Sequence, residues 1–161
     1  MAVKERRYVG IEKLIRPHLV EVQAYEPVDP PEVLAERARI PEDQVIKLNG
    51  NENPYGAAPR VAKAVAGARL HIYPDPLQRK MRDALAGYTG LGTRNIVVGA
   101  GSDELIDLLF RLFISPGDKV VDCEPTFAMY AFCARIAGAQ IKMVPRDDLF
   151  DIDVVAVKNA L

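Results

Sequence analysis

Strand-like and helix-like segments alternate along the second half of the sequence, and this alternation limits the fold more than any other feature. Short apolar runs predict strands at residues 95–98, 119–122 and 140–144. Patterns with helical period predict helices between and after these strands, at residues 102–114, 125–137 and 153–161. Strands joined by helices form mainly parallel sheets, so we expect an α/β layer with flanking helices.

The first part of the sequence is instead rich in proline. Nine of the twelve prolines lie between Pro17 and Pro76, which favours short pieces and turns. The other signals there predict one short strand at 45–48 and helices at 31–39, at 59–70 and from Pro76 onwards behind an Asp75 cap. We therefore expect an N-terminal arm over residues 1–45 and the first part of a larger layered domain over residues 46–161.

Composition and charge exclude several classes of protein. The chain has 161 residues and a net charge of −1, so it lacks the basic surplus of a general nucleic-acid-binding protein. No apolar run approaches the ~18 residues of a membrane span, and the N-terminus carries no secretory signal. Cys123 and Cys133 form no redox or metal motif, and His18 and His71 lie in unrelated contexts. We expect a cytoplasmic protein with reduced thiols and no metal site.

The strongest local signal is a glycine turn between a predicted strand and a predicted helix, Val97-Val-Gly-Ala-Gly-Ser-Asp-Glu-Leu. Free amides and the dipole at a helix start favour a phosphate, and Ser102 adds a hydroxyl donor. Glu104 stands where a dinucleotide-binding fingerprint has its last glycine, and no Gly-Lys-Ser/Thr follows. The turn therefore suits one terminal phosphate. The alternative is a plain strand–turn–helix connection.

Two further segments carry groups that could bind a ligand. Phe127 follows the next strand at the expected carboxyl edge of the sheet, where it could lie on a planar ring. The alternative is that Phe127 and Tyr130 are core residues of one helix face. The loop at residues 49–56 concentrates amides, a carboxylate and a phenol, which suits either a ligand or a turn held by its own asparagines.

In this order the segments resemble the first half of a histidinol-phosphate aminotransferase, a fold-type-I enzyme that depends on pyridoxal phosphate (PLP). The most diagnostic part of the resemblance is Leu48-Asn-Gly-Asn-Glu-Asn-Pro-Tyr-Gly. It also includes Arg16-Pro-His-Leu, Ala24-Tyr-Glu-Pro, Tyr73-Pro-Asp-Pro, Gly99-Ala-Gly-Ser-Asp-Glu, Pro116-Gly-Asp and Pro125-Thr-Phe-Ala-Met-Tyr. It implies that residues 46–161 begin a PLP-binding large domain, and that the complete enzyme is a homodimer. That enzyme would move an amino group between glutamate and imidazole-acetol phosphate in histidine biosynthesis.

The resemblance also implies roles for individual residues. Phe127 would lie against the pyridine ring, where many relatives carry tyrosine. Tyr55 would reach the cofactor phosphate of the neighbouring subunit. Asn51 and Tyr25 would contact the substrate, with Tyr25 at its phosphate. The phosphate of PLP would be held by the glycine turn and helix start, at Gly101, Ser102 and Asp103.

One departure concerns the reaction itself. PLP-dependent transamination needs a lysine that forms a Schiff base and shuttles the proton, together with a carboxylate beside the pyridine nitrogen. In the family both lie downstream of everything matched here, and none of the eight lysines of this chain stands in that context. We therefore expect an N-terminal fragment that is inactive by itself and contains no catalytic residue.

Three alternatives stay open. A related PLP enzyme, such as a threonine-phosphate decarboxylase, shares these motifs. The other two come from different classes: a non-catalytic chain that binds phosphate or another subunit, and a small nucleotide-binding α/β module unrelated to PLP.

Overall fold

The computed structural model describes residues 10–25 and 27–161 of the chain. The chain divides into two compact units. The sheet unit comprises residues 10–25 and 85–161, and the loop unit comprises residues 27–84. The predicted division into an arm and a large domain at residues 45 and 46 stays a prediction. Residues 1–9 and 26, which belong to the predicted arm, lie outside the described residues.

Helices outnumber strands in the described chain. In chain order the elements are α1 (Pro31–Ala38), α2 (Pro59–Ala66), α3 (Arg79–Thr89), α4 (Ser102–Phe113), β1 (Lys119–Glu124), α5 (Met129–Ala137), β2 (Gln140–Pro145) and α6 (Val154–Ala160). Short 3₁₀ turns lie at Ile11–Leu14, Pro17–Leu19, Glu42–Gln44 and Thr93–Asn95. The boundary between the two units falls inside α3.

The sheet unit is organised around β1, α5 and β2. The two strands are parallel and pair in register from Lys119 opposite Gln140 to Glu124 opposite Pro145. Parallel neighbours need a crossover connection, and α5 provides it. α4 packs against α5, and α6 packs against β2. The α/β arrangement predicted from the alternating pattern is therefore present.

The core of the sheet unit lies where α5 covers the strands. Cys133 and Ala134 on α5 and Val144 on β2 are buried. Gly138 then ends α5 in the left-handed region, with φ of 78°, and a Cβ atom there would lie 3.2 Å from that of Pro116. A glycine is needed at this position because both the backbone angle and the close approach disfavour a side chain.

The loop unit is held mainly by short-range contacts. Ala35 on α1 is buried, whereas every residue of α2 is exposed. The helix predicted from Pro76 begins three residues later, at Arg79. The Asp75 carboxylate accepts hydrogen bonds from the amides of Leu77 and Arg79, both at 3.0 Å. Asp75 thus caps the turn that leads into the helix and also accepts from the amide of the first helical residue.

Two predicted strands are wrong for the described chain. Residues 45–48 and 95–98 belong to no strand within the described ranges, although the backbone is extended at Val45 and Ile96. A segment becomes a strand only when its backbone groups meet those of a neighbour, and an apolar pattern cannot supply that neighbour. The apolar face of α4 is largely exposed, with Leu112 and Phe113 both 73% accessible. No helix among residues 10–25 and 27–161 is long and apolar enough to cross a membrane.

Candidate functional site

The start of α4 offers open backbone amides. Gly101, directly before the helix, has φ of 86° and ψ of 178°, a region of backbone space that is essentially restricted to glycine. A Cβ atom at this position would meet nothing within 4 Å, so the approach is open. The hydrogen bonds found in residues 10–25 and 27–161 include none from the amides of Ser102 or Asp103. These amides and the helix dipole therefore favour an anion.

Glu104 determines which backbone amides of the glycine turn remain free for an anion. It is the third residue of α4, and its carboxylate reaches back to accept a hydrogen bond from the amide of Ala100. A capping box would take the amide of the N-cap Gly101, but here the carboxylate takes the amide one residue earlier, and Gly101 has no side chain for the reciprocal bond. The Ala100 amide is thus taken, and a carboxylate lies beside it. The open amides begin after Ala100, which suits a single phosphate.

Asp103 acts electrostatically on the neighbouring helix. Burial raises the pKa of the Cys133 thiol, and the charges of Asp107 and Asp103 raise it further, while Arg111 opposes them. Cys133 is only 4% exposed, so this thiol stays protonated and unreactive. The first turn of α4 therefore contributes to the electrostatic environment of this α5 thiol.

Phe127 lies on the turn that follows β1. Its side chain is 44% exposed, and that of Tyr130 is 41% exposed. The two rings meet edge to face, with centroids 6.1 Å apart and planes at 90°. The structure thus shows neither ring as a core residue, and the Phe127 side chain is in part accessible to a ligand.

The loop at residues 49–56 is shaped by one of its own asparagines. The side chain of Asn53 donates to the carbonyl of Gly56 at 2.9 Å and accepts from the amide of Tyr55 at 3.0 Å. Asn51 is exposed in the left-handed region, with φ of 50°, which asparagine tolerates. Tyr55 is 94% exposed. The self-bonded turn considered from the sequence is therefore present at Asn53, while Asn51 and Tyr55 face solvent.

An ion pair supports the same loop. Nζ of Lys47 lies 2.7 Å from a carboxylate oxygen of Glu52, and the lysine side chain is only 10% exposed. Both groups lie over Gly50, where a Cβ atom would come within 3.0 Å of the glutamate oxygen. This lysine is therefore engaged in holding the loop.

The predicted site residues divide between the two units. The sheet unit contains Tyr25, which meets the ring of Phe132 edge-on at 6.0 Å, together with Phe127 and the start of α4. The loop unit contains Asn51 and Tyr55. The roles assigned to all of these residues stay predictions.

Sequence reasoning missed Asp122 and Arg146. Asp122 on β1 is 4% exposed, and one of its carboxylate oxygens has no hydrogen-bond partner in the described structure. Burial raises its pKa, and the amide of Cys123 and the charges of Arg135 and Arg146 oppose that rise. A lone acid inside the apolar run Val-Val-Asp-Cys was the available signal for Asp122. Nothing in the sequence marked Arg146.

No group of three or more histidine, cysteine, aspartate or glutamate side chains that could hold a metal ion was found among residues 10–25 and 27–161. Both cysteines are free thiols. The predicted site residues offer backbone amides, a hydroxyl, a carboxylate, aromatic rings and a side-chain amide.

A parallel β-α-β unit beside a helix with open N-terminal amides is an arrangement that α/β proteins use to hold phosphate-bearing ligands. The aminotransferase class I and II family model matches residues 43–161. The chain belongs to this family, which confirms the aminotransferase resemblance.

The chain is also similar to curated proteins that are named histidinol-phosphate aminotransferases. The chain is 48% identical over 158 residues to the histidinol-phosphate aminotransferase of Roseiflexus castenholzii, covering 94% of this chain and 43% of that protein. It is 47% identical over 156 residues to the chloroplastic histidinol-phosphate aminotransferase 1 of Arabidopsis thaliana, covering 95% of this chain and 37% of that protein. The chain therefore spans about two fifths of the length of these relatives.

A solved structure supports the same fold. The structure resembles the histidinol-phosphate aminotransferase of Sinorhizobium meliloti, which was crystallised in complex with pyridoxal-5'-phosphate, with a TM-score of 0.68 and 26% identity. The match covers 83% of this chain and 35% of that one. The predicted fold class, that of the fold-type-I aminotransferases, is confirmed.

Proposed function

We propose that this chain belongs to a PLP-dependent histidinol-phosphate aminotransferase and forms its cofactor-phosphate site. The open amides at the start of α4 carry the proposal, because they suit the single phosphate of PLP. The identity of 48% to a relative of that name supports this activity over the alternative of a threonine-phosphate decarboxylase. The reaction would transfer the amino group of histidinol phosphate to 2-oxoglutarate, giving imidazole-acetol phosphate and glutamate.

The residues of the sheet unit fit this cofactor. The amides of Ser102 and Asp103 would bind the phosphate together with Gly101 and the Ser102 hydroxyl, and Glu104 would keep the anion away from Ala100. Phe127 would cover the ring without offering a phenolic hydrogen bond. When bound, PLP supplies the electron sink for amino-group transfer. This chain's own contribution is binding and orientation.

The residues of the loop unit would serve the substrate and the second subunit. The nearly complete exposure of Tyr55 supports its proposed contact with the cofactor phosphate of a partner in a homodimer. The left-handed, exposed backbone at Asn51 supports a substrate contact there. Tyr25, in the sheet unit, would contact the substrate phosphate, and its exposure of 38% leaves it reachable.

We assign the covalent lysine to none of the eight lysines of this chain. Lys47 is paired with Glu52. Lys119 donates from Nζ to the carbonyl of Leu161 at 2.8 Å. We also propose a cytoplasmic protein that acts on small molecules and binds neither nucleic acid nor membrane. The free thiols of Cys123 and Cys133 support a reducing compartment, although the Arabidopsis relative is named chloroplastic.

Equilibrium binding of PLP and of pyridoxal, which lacks the phosphate, tests the proposal. We expect the chain to bind PLP at least roughly tenfold more tightly, about 1.4 kcal/mol, and inorganic phosphate to compete. Ser102→Ala should weaken PLP binding because it removes a hydroxyl donor. The matched control Ser115→Ala, at an exposed serine elsewhere in the sheet unit, should not. Equal affinity for PLP and pyridoxal would overturn the proposal.

Borohydride reduction of the PLP complex tests the lysine assignment separately. We expect scattered, substoichiometric labelling, because no lysine here is assigned to the cofactor. One lysine labelled once per chain would contradict the assignment while leaving the phosphate site intact.

A further inference from the structure

One arginine binds the end of β1 and the start of the turn that carries Phe127. Arg146 follows β2 and donates from Nε to the carbonyl oxygens of Cys123, at 3.1 Å, and of Pro125, at 3.2 Å. Its backbone amide donates to the carbonyl of Glu124 at 2.7 Å. Three consecutive carbonyls, ending two residues before Phe127, therefore share the same partner residue.

The guanidinium of Arg146 is also tied to the loop at residues 147–151. Its Nη1 donates to the carbonyl of Phe150 at 2.9 Å. Oδ1 of Asp147 closes this loop by accepting from the amides of Leu149, at 2.9 Å, and Asp151, at 2.8 Å. Arg146 thus connects the turn to a segment that already has its own internal hydrogen bonds.

The bonds of the guanidinium to Cys123, Pro125 and Phe150 favour an arginine over another positive charge, whereas the backbone bond to Glu124 does not depend on the side chain. A guanidinium is planar and holds its donors in a fixed fork, so it can serve several carbonyls at once in one orientation. A lysine ammonium is a point charge on a flexible stem. Arg135 provides a comparison, because its charge also acts on Asp122. The hydrogen bonds found within the described ranges do not link Arg135 to the turn.

We propose that Arg146 is a positioning residue for the cofactor ring, which it serves by fixing the end of β1 and the start of the 125–127 turn, and thereby the direction in which that turn presents Phe127. The cofactor part rests on the PLP site proposed above, since the ring to be covered belongs to that cofactor. The hold on the turn rests only on the bonds to Cys123, Glu124, Pro125 and Phe150.

A single fluorescent ring can report on the turn. The chain has no tryptophan, so Phe127→Trp places the only indole at this position. In that background, Arg146→Lys keeps the charge but loses the fork, and Arg135→Lys is the matched control. Without ligand, we expect acrylamide quenching of the indole to rise about twofold in Arg146→Lys, because charge-assisted carbonyl bonds are lost. Arg135→Lys should leave it unchanged.

Titration with PLP then tests the cofactor part. We expect PLP to quench the indole saturably and Arg146→Lys to weaken that effect about tenfold more than Arg135→Lys does. If the indole is equally mobile in Arg146→Lys and Arg135→Lys without ligand, the proposal is overturned, whether or not PLP quenches the indole. If PLP does not quench while Arg146→Lys still frees the indole, the PLP site is overturned and the hold of Arg146 on the turn is retained.

A second variant covers the case in which Arg146→Lys loses its fold by circular dichroism. Asp147→Ala removes the two side-chain bonds that close the 147–151 loop but leaves the bonds to Cys123 and Pro125 in place. We expect indole mobility close to that of the parent, because the anchoring bonds remain. A rise of about twofold or more would overturn the proposal, because it would show that the loop, and not Arg146, holds the turn.

Discussion

The β1–α5–β2 segment and the 46–84 segment are built in opposite ways. Residues 119–145 contain four of the five buried residues of the described chain, held by strand pairing and helix packing between positions distant in sequence. Residues 46–84 contain no buried residue. Their order comes from contacts within a few positions, such as Asn53 with Gly56 and Asp75 with Arg79.

This difference shows how the candidate residues of each segment are held. The turn bearing Phe127 extends from a packed strand, so its geometry depends on long-range burial and on Arg146. The loop bearing Asn51 and Tyr55 depends on polar contacts that compete with water. Substitutions should therefore cost much more in the first segment than at equivalent residue types in the second.

The largest expected effect comes from the same valine-to-alanine change in both segments. Val144 on β2 is 4% exposed, whereas Val61 on α2 is 47% exposed. Val144→Ala should lower the free energy of unfolding by about 2 kcal/mol, through lost burial and an unfilled cavity. Val61→Ala should change it by less than about 0.5 kcal/mol. Urea denaturation measures both, and equal costs would remove the contrast.

The next largest effect on stability comes from replacing two glycines by alanine. One lies where the backbone angles require glycine, and the other lies inside a helix, where alanine has the higher helix propensity. Gly101→Ala should cost about 1–3 kcal/mol, because its backbone lies where side chains are disfavoured. Gly87 lies inside α3, and a Cβ atom added there would meet nothing within 4 Å, so Gly87→Ala should stabilise by about 0.5–1 kcal/mol. Thermal unfolding measures both. A neutral Gly101→Ala would contradict the geometry of the α4 start.

The smallest expected effect is that the contributions of two aspartates to stability change with pH in opposite directions. Burial raises the pKa of Asp122 above 3.8, so its contribution to stability is full below that value and is lost as pH rises through the folded pKa. Hydrogen bonds from the amides of Arg79 and Leu77 lower the pKa of exposed Asp75. The contribution of Asp75 is therefore present above pH 3.8 and is lost as pH falls through the folded pKa.

Isosteric substitutions check these signs. The free energy of unfolding of Asp122→Asn, relative to that of the parent chain, should increase as pH rises from about 3 to about 7. The relative free energy of unfolding of Asp75→Asn should decrease over the same range. Urea denaturation across that range measures both differences. Slopes of the same sign would show that the two carboxylates do not occupy contrasting environments.

The sequence predicted what depends on local pattern. Helix α4, strands β1 and β2 and the glycine end of α5 follow from periodicity and turn residues, and they were placed to within a few positions. The strands expected at 45–48 and 95–98 failed because pairing needs a neighbour that no local pattern specifies. The open amides after Gly101 could be anticipated from the glycine turn, whereas the role of Arg146 depends on carbonyls more than twenty residues away.

The central claim is that an anion binds the amides that open α4. Titration of the ¹⁵N-labelled chain with inorganic phosphate tests it directly by amide chemical shifts. The account predicts saturable shifts at Ser102 and Asp103 and none at Arg60 and Val61, near the start of α2, where Pro59 has no N–H and the Val61 amide already donates to the carbonyl of Ala58. Shifts of equal size at both helix starts, or no shift at Ser102 and Asp103, would contradict it.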